Sequence, residues 1–419
     1  MLFSRSVFRN ASSLYAIQIA SYVLPMASFP YLTRVLGPDR YGVYVLVLAV
    51  ARYGLIVTDW GFNYSATREL SISGRGPNAS VIYSATVAAR ALLLGACVVA
   101  LAVLTIVVPR FRQDAGLYWL GFGGVVGSAF IPIWLFQAFE RVSVVTITLL
   151  LSRVITTVLI FVLVRTADDV GRLVVLWSVP WIITAAVALR TAPRLFGTQL
   201  SPPSRTSVVH ALRQGSHLFA SQFAATLYTA LSAIMLGFLS SDREVGYFGA
   251  AETLVLAAVG LIGPLSQALF PSAAKAGAAG RDEAVAHASR ALPLLAGLGS
   301  ILSVGAFVLA PLVGGFVFGA GFDRSVRVLQ IMAPIPFAVA VSTALVTQLM
   351  LPLRMDRAYT AAVVSGACLC LGLTAVLVPS FGAIGTAIAV ASAELCVLAF
   401  SVIYLTRRGF SMRAIVGRG

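Results

Sequence analysis

The stretch ALLLGACVVALAVLTIVV at residues 91–108 decides the fold class, because its 18 residues include no charged side chain. Arg90 precedes it and Arg110 follows shortly after it. About 20 predominantly apolar residues are enough for a helix to cross the hydrocarbon core of a bilayer. The stretch therefore predicts a membrane-spanning helix.

The same pattern recurs along the whole chain, which has 419 residues, 59% of them hydrophobic and 11% charged, and a mean hydropathy of +0.93. Soluble globular chains carry roughly 45–50% apolar and about 25% charged residues. The composition argues against soluble enzymes, disordered chains and coiled coils. It predicts an all-α polytopic membrane protein with about twelve transmembrane helices. The predicted spans are 10–33, 41–61, 81–109, 115–139, 142–164, 170–192, 214–239, 245–273, 290–314, 325–351, 358–378 and 383–405.

The longest polar break separates the sixth span from the seventh and contains Pro202-Pro203. Such a stretch is typical of a linker. We therefore predict an N-terminal six-helix lobe at 1–192, a cytoplasmic linker at 193–213, a C-terminal six-helix lobe at 214–405 and a cytoplasmic tail at 406–419.

A faint internal repeat relates the two halves. An offset of 204 residues aligns Gln18 with Gln222 and Gly42 with Gly246. Six spans per half make both halves enter the membrane in the same sense. We expect a pseudo-two-fold axis along the membrane normal.

The net charge of +15 is better explained by membrane topology than by nucleic acid, since the basic residues lie mostly between apolar runs. With both termini in the cytoplasm, cytoplasmic segments hold 18 basic residues and the opposite side holds 9. The positive-inside rule favours this orientation in the cell membrane. The first apolar stretch is interpreted as an uncleaved span.

Three arginines lie inside predicted spans and well away from their ends, namely Arg52, Arg90 and Arg153. A charge at the bilayer centre costs about 2.5–3.5 kcal/mol on insertion scales, so it usually faces a cavity or a partner. Arg52 and Arg153 lie near mid-span, where a guanidinium fork suits the oxygens of a diphosphate. The alternative for both is a structural pair with a carboxylate or with helix carbonyls. Arg90 lies nearer the cytoplasmic end and either lines the cavity or snorkels to the interface.

Other polar residues inside spans have two interpretations each. Glu394 is either a proton or cation coupling site or a buried carboxyl kept neutral by a hydrogen bond. Gln18 and Gln222 either bind sugar hydroxyls or join helices. Asp59 is expected to pair with Arg68.

Three tryptophans, Trp134, Trp177 and Trp181, are expected to lie in interfacial belts. No cofactor, metal site or disulfide is expected, since no catalytic set or phosphate-binding loop is found. The cysteines all lie in apolar runs, and they are Cys97, Cys368, Cys370 and Cys396.

Several loose motifs occur in a characteristic order. They are Arg34-Val35-Leu36-Gly37-Pro38-Asp39-Arg40-Tyr41-Gly42, Asp59-Trp60-Gly61-Phe62, Glu244-Val245-Gly246-Tyr247-Phe248-Gly249-Ala250-Ala251 and Phe381-Gly382-Ala383-Ile384-Gly385-Thr386-Ala387. With them, the chain resembles the polysaccharide flippases (Wzx-type, O-antigen and related repeat-unit exporters) of the multidrug/oligosaccharidyl-lipid/polysaccharide exporter superfamily.

The resemblance implies two six-helix lobes facing a central cavity. It implies a non-enzymatic exporter of a lipid-linked oligosaccharide, carried on polyprenyl diphosphate, for polysaccharide biosynthesis. Its partners would be that substrate, the lipid bilayer and a polysaccharide polymerase machinery, with no nucleic acid and no cofactor.

Two other functions stay open. A multidrug or cation antiporter of the same superfamily should have an acidic residue in the first span, where this chain has Asn10 and Gln18. A membrane glycosyltransferase or polymerase would need a large outer loop with paired acids. The longest outer loop predicted here is about ten residues, which is short for a folded catalytic module.

Reporter fusions test the predicted topology. Fusions at Asp114 and Asp242 should report the outer side, and a fusion at Arg281 should report the cytoplasm, because the basic residues concentrate on the Arg281 side. An alkaline phosphatase and a fluorescent protein, which are active on opposite sides, provide the measurement. The reverse pattern would contradict the topology.

Overall fold

The computed structural model describes the backbone of residues 5–411 and of residue 415, and the side chains of this part except 5–23, 25, 217, 218 and 220–230. This part is helical with short connections, and it contains no β-strand. Its α-helices are α1 (Arg5–Asp59), α2 (Phe62–Ser73), α3 (Pro77–Val107), α4 (Pro109–Gln113), α5 (Ala115–Ala129), α6 (Ile133–Ala138), α7 (Ser143–Leu163), α8 (Val170–Phe196), α9 (Arg205–Leu239), α10 (Asp242–Gly260), α11 (Ile262–Ala279), α12 (Arg281–Val313), α13 (Asp323–Met332), α14 (Ile335–Leu345), α15 (Asp356–Phe381) and α16 (Ala383–Arg407). A 3₁₀ turn covers Ala167–Asp169, and π-helical turns cover Gly314–Phe318 and Val346–Met350.

Within the described part of the chain, ten helical segments are long and apolar enough to cross a bilayer. They coincide with predicted spans two to six and eight to twelve, which confirms the all-helical polytopic fold class. The other two predicted spans, 10–33 and 214–239, lie on α1 and α9. The backbone is helical there, but most of those side chains lie outside the described residues.

Helix α1 contains the first two predicted spans and is interrupted between them. Gly37 has φ 65° and ψ 175°, which no α-helical residue adopts. A left-handed φ suits glycine because it has no Cβ. The interruption therefore separates the two spans without a loop.

The chain divides into two compact units. Unit 1 comprises Met1–Leu36 and Val43–Phe223, and unit 2 comprises Gly37–Gly42 and Ala224–Gly419. The helices extend further into the predicted linker 193–213 than expected. Only residues 197–204 are non-helical, because α8 continues to a left-handed cap at Gly197 and α9 begins at Arg205. The division between the units falls within α9.

Unit 2 contains a reciprocal contact between two glycines. A Cβ on Gly42 would collide with the carbonyl group of Asp242 and would lie 2.8 Å from the Gly246 nitrogen. A Cβ on Gly246 would collide with the carbonyl group of Pro38. Pro38 and Gly42 precede Asp242 and Gly246 by the same 204 residues that relate the two halves. Equivalent backbone positions of the repeat therefore touch each other, and each requires glycine at the contact.

In unit 1 the fourth predicted span is broken between α5 and α6. Helix α5 ends at Ala129 and α6 begins at Ile133, with Pro132, which has no amide hydrogen, between them. Backbone amides bond two of the carbonyls at this break, since Ile131 N–H donates to Ser128 and Ile133 N–H donates to Ile131. Arg90 of α3 adds a side-chain donor, because its Nη1 donates to the carbonyl oxygens of Ser128, Ala129 and Ile131 at 3.3, 3.5 and 3.2 Å.

The other terminal nitrogen of Arg90 binds two side chains near the α1–α2 corner. Nη2 lies 2.7 Å from Oδ1 of Asp59 and 3.2 Å from Oδ1 of Asn63. The guanidinium also lies 4.3 Å from the ring centroid of Trp134, and the Arg90 residue is only 3% exposed. A buried charge is tolerated when it is paired and hydrogen-bonded in this way. The expected pairing of Asp59 with Arg68 is wrong, because Arg90 takes the carboxylate.

Replacing Arg90 with Met should strongly destabilise unit 1. The substitution leaves the Asp59 carboxylate without its buried partner and removes the side-chain donor from the α5–α6 break, at a cost of about 3–5 kcal/mol. The free energy of unfolding of the purified protein, titrated with sodium dodecyl sulfate in mild detergent, measures the effect.

Arg172→Met is the matched control. Arg172 pairs with Asp169 at the same 2.7 Å, but its side chain is 65% exposed. An exposed pair contributes at most about 1 kcal/mol. Equal losses for the two variants would contradict the role given to Arg90.

Candidate functional site

Arg52 lies on α1 near the middle of the second predicted span, and its side chain is exposed in unit 1. Two residues further on, Gly54 packs against α5, since a Cβ there would lie 2.9 Å from Cγ1 of Val125. Residues two apart on an α-helix point about 200° from each other. Arg52 therefore lies on the face of α1 opposite to the one packed on α5.

Arg153 lies near the middle of α7 and is half-buried. Its guanidinium carbon is 5.6 Å from the ring centroid of Trp181 on α8, which is a cation–π contact. This contact places the Arg153 guanidinium beside α8 at mid-helix depth.

Arg90 differs from both sequence-based expectations. It neither snorkels to an interface nor faces an open space, because its terminal nitrogens bind Asp59, Asn63 and three backbone carbonyls inside unit 1. The expected interfacial belt is wrong for Trp134, which is fully buried under Arg90, and for Trp181, which lies near the middle of α8 under Arg153.

Glu394 lies in unit 2, near the middle of α16, and is half-buried. It lies within electrostatic range of Tyr359 and Cys370 on α15. The Cys370 sulfur is also 3.3 Å from the hydroxyl oxygen of Ser232 on α9. Glu394 therefore belongs to a neighbourhood of weakly polar groups at mid-helix depth.

The side chains of Gln18 and Gln222 lie outside the described residues. Among the side chains that the structure describes, no group of three or more His, Cys, Asp and Glu residues could hold a metal ion. The site candidates that remain are Arg52 and Arg153 in unit 1 and Glu394 in unit 2.

The network around Arg90 was missed by the sequence analysis. A signal for it was available, since Asp59 and Arg90 lie towards the cytoplasmic ends of consecutive predicted spans and so at similar depth. Two opposite charges at one depth in neighbouring helices favour a pair over two separate interfacial residues.

Two solved structures of transporters have a similar fold. The lipid II flippase MurJ in an inward closed conformation matches with a TM-score of 0.74 and 11% identity, over 98% of this chain and 89% of that one. An inward-facing multidrug resistance MATE family transporter of the MOP superfamily matches with a TM-score of 0.65 and 12% identity, over 93% and 98% of the chains. At these identities the likeness shows the fold alone.

Similar sequences cover nearly the whole chain. An Escherichia coli (strain K12) protein named "Putative O-antigen transporter" is 28% identical over 401 residues, 96% of this chain and 97% of that protein. A Shigella dysenteriae protein of the same name is 25% identical over 395 residues, 94% and 98% of the two chains. A family model described as polysaccharide biosynthesis protein matches residues 7–277. Because this match covers more than half of the chain, the protein belongs to the polysaccharide biosynthesis protein family.

Proposed function

We propose that this protein is a flippase that moves a polyprenyl-diphosphate-linked oligosaccharide repeat unit across the cytoplasmic membrane by alternating access. The observation that carries the proposal is the end-to-end match to proteins named as O-antigen transporters, over 96% of this chain for the first of them. The multi-pass helical fold agrees with a transporter. The transported unit would then feed surface polysaccharide synthesis, with a polymerase as the next partner.

Arg52 and Arg153 are proposed to bind the diphosphate. Both are at mid-span, Arg52 on an exposed face of α1 and Arg153 on α7 beside Trp181. Arginine suits this task, because its fork pairs with two phosphate oxygens and stays ionised in a low-dielectric site. Gln18 and Gln222 are proposed to bind sugar hydroxyls.

The membrane potential favours export of such a headgroup. Moving each negative charge outward across a potential that is negative inside gains about 2.3 kcal/mol per 100 mV. An arginine-lined site must nevertheless release its anion and return empty. We therefore propose that a proton or sodium ion resets the carrier at Glu394, the carboxylate at mid-helix depth in unit 2.

The two alternatives are supported less well. A drug or cation antiporter shares the fold, as the MATE likeness shows, but the first predicted span has Gln18 where an acidic residue would be expected. A glycosyltransferase or polymerase would need an outer catalytic module. In the described part, the connections on the predicted outer side are short, and they are 108–114, 164–169, 240–241, 319–322 and 382.

Replacing Arg52 or Arg153 with Gln should lower polymer export by about 30-fold, the equivalent of about 2 kcal/mol for a lost charge-assisted contact. Surface polysaccharide in cells that lack their own flippase is the readout, at matched amounts of membrane protein. Arg52→Lys should restore export only in part, because an ammonium cannot form the bidentate fork.

The control for this pair is Arg165→Gln. Arg165 lies in the outer connection between α7 and α8, where its Nε donates to the carbonyl of Val162 at 2.9 Å. Export should stay at the wild-type level in that variant. Normal export by Arg52→Gln would contradict the binding role of Arg52.

Glu394→Gln should remove ion coupling while leaving transport driven by the potential. Vesicles with the potential, the proton gradient and the sodium gradient set separately give the measurement. Wild type should respond to one of the ion gradients, and the variant should not, since a glutamine amide does not ionise and so carries no negative charge for a proton or sodium ion. Equal rates for both proteins under every gradient would eliminate Glu394 as the coupling residue.

A further inference from the structure

Trp60 has an unusual backbone conformation at the corner between α1 and α2. Its φ is 46°, in the left-handed region that bulky side chains rarely occupy. The next residue, Gly61, also has a positive φ, but glycine adopts it at no steric cost. Strain of this kind persists only where the surrounding contacts hold the residue in place.

Those contacts are with the cytoplasmic half of α9. The indole Nε1 of Trp60 donates a hydrogen bond to the carbonyl oxygen of Leu212 at 2.9 Å. The Trp60 ring stacks on Phe219, with centroids 4.0 Å apart and planes 15° from parallel. Between them, Gly215 leaves no space for a side chain, since a Cβ there would lie 2.9 Å from Cδ1 of Trp60 and would collide with the Trp60 carbonyl oxygen.

The three positions on α9 form one face of the helix. Leu212, Gly215 and Phe219 follow one another at intervals of three and four residues, which places them in a row. Two residues before Leu212, Nε2 of His210 lies 4.0 Å from the Glu69 carboxylate on α2. Helix α9 therefore contacts both the α1–α2 corner, through this row, and α2, through His210.

The segment held in this way has a special place in the chain. Residues 205–223 of α9 belong to unit 1, while its remaining residues belong to unit 2. We propose that Trp60 is a positioning residue that fixes the cytoplasmic half of α9 to the α1–α2 corner. We call its contacts with Leu212, Gly215 and Phe219 the clasp. The clasp makes this half of α9 move as part of unit 1 during transport, and it holds Trp60 in its strained conformation. The transport part of this inference rests on the proposed flippase function.

Three substitutions separate the clasp from the backbone strain. Trp60→Ala and Trp60→Gly both remove the indole, but only Gly relieves the positive φ. Trp60→Phe keeps an aromatic ring for Phe219 and loses the N–H donor. Trp119→Ala is the control, because Trp119 lies on α5 and is 40% exposed.

Hydrogen–deuterium exchange of residues 205–216 in the purified full chain is the first measurement. Exchange should be about tenfold faster in Trp60→Ala and Trp60→Gly alike, less accelerated in Trp60→Phe, and unchanged in Trp119→Ala. Wild-type exchange in Trp60→Gly would overturn the clasp. Trp60→Gly also covers the case in which Trp60→Ala fails to fold, since its backbone is unstrained.

Polymer export is the second measurement. Both indole-free variants should lose export to the same extent, with Trp60→Phe in between and Trp119→Ala at the wild-type level. If Trp60 acted only on stability, Trp60→Gly would be more stable than Trp60→Ala and would export more polymer. That result would overturn the positioning role. If wild type itself exports nothing, the flippase proposal fails, while the exchange measurement still decides the clasp.

Discussion

A peptide group inside hydrocarbon has no water to bond, and the rest of this structure depends on that constraint. A helix satisfies its own backbone, so every long apolar segment in the described part is helical. Where a helix breaks, its freed backbone groups need other partners. At the gap between α5 and α6, Arg90 donates to carbonyl oxygens at the end of α5 and within the gap, and Asp59 balances the charge of Arg90. A local backbone irregularity is thus tied to an ion pair that joins α1 and α3.

Three arginines well inside predicted spans have different surroundings, and their residue type alone does not tell them apart. Arg90 is enclosed by acceptors, Arg153 stacks on an indole, and Arg52 lies on a face of α1 directed away from α5. A guanidinium surrounded by acceptors, as in Arg90, has a structural role. The proposed binding of the diphosphate by Arg52 and Arg153 rests on their mid-span positions and on the fork geometry of arginine.

The fold class could be predicted from the sequence because hydropathy is a local property: a stretch such as 91–108 carries its own signal. The predicted spans of unit 1 also placed Arg52, Arg90 and Arg153 correctly within helices. Which of them is buried could not be predicted, since Asp59 and Arg90 are 31 residues apart and meet only when α1 and α3 pack. The positive φ of Trp60 could not be predicted either, because a bulky residue disfavours that backbone conformation. Only its contacts with α9, about 150 residues later in the chain, offset the strain. The start of α9 was predicted as part of the linker because its composition is polar, although the helix begins at Arg205.

The contact between Gly42 and Gly246 has a consequence for biosynthesis. The segment Gly37–Gly42 packs in unit 2, although the chain on both sides of it belongs to unit 1. Its partner positions emerge from the ribosome 204 residues later, which takes about 10–40 s at ordinary elongation rates. During that interval the backbone around Gly42 lacks its contacts with Asp242 and Gly246, so the first two predicted spans must be held in the membrane by lipid or by the insertion machinery. The second unit of the protein therefore contains a segment that is synthesised long before the rest of that unit.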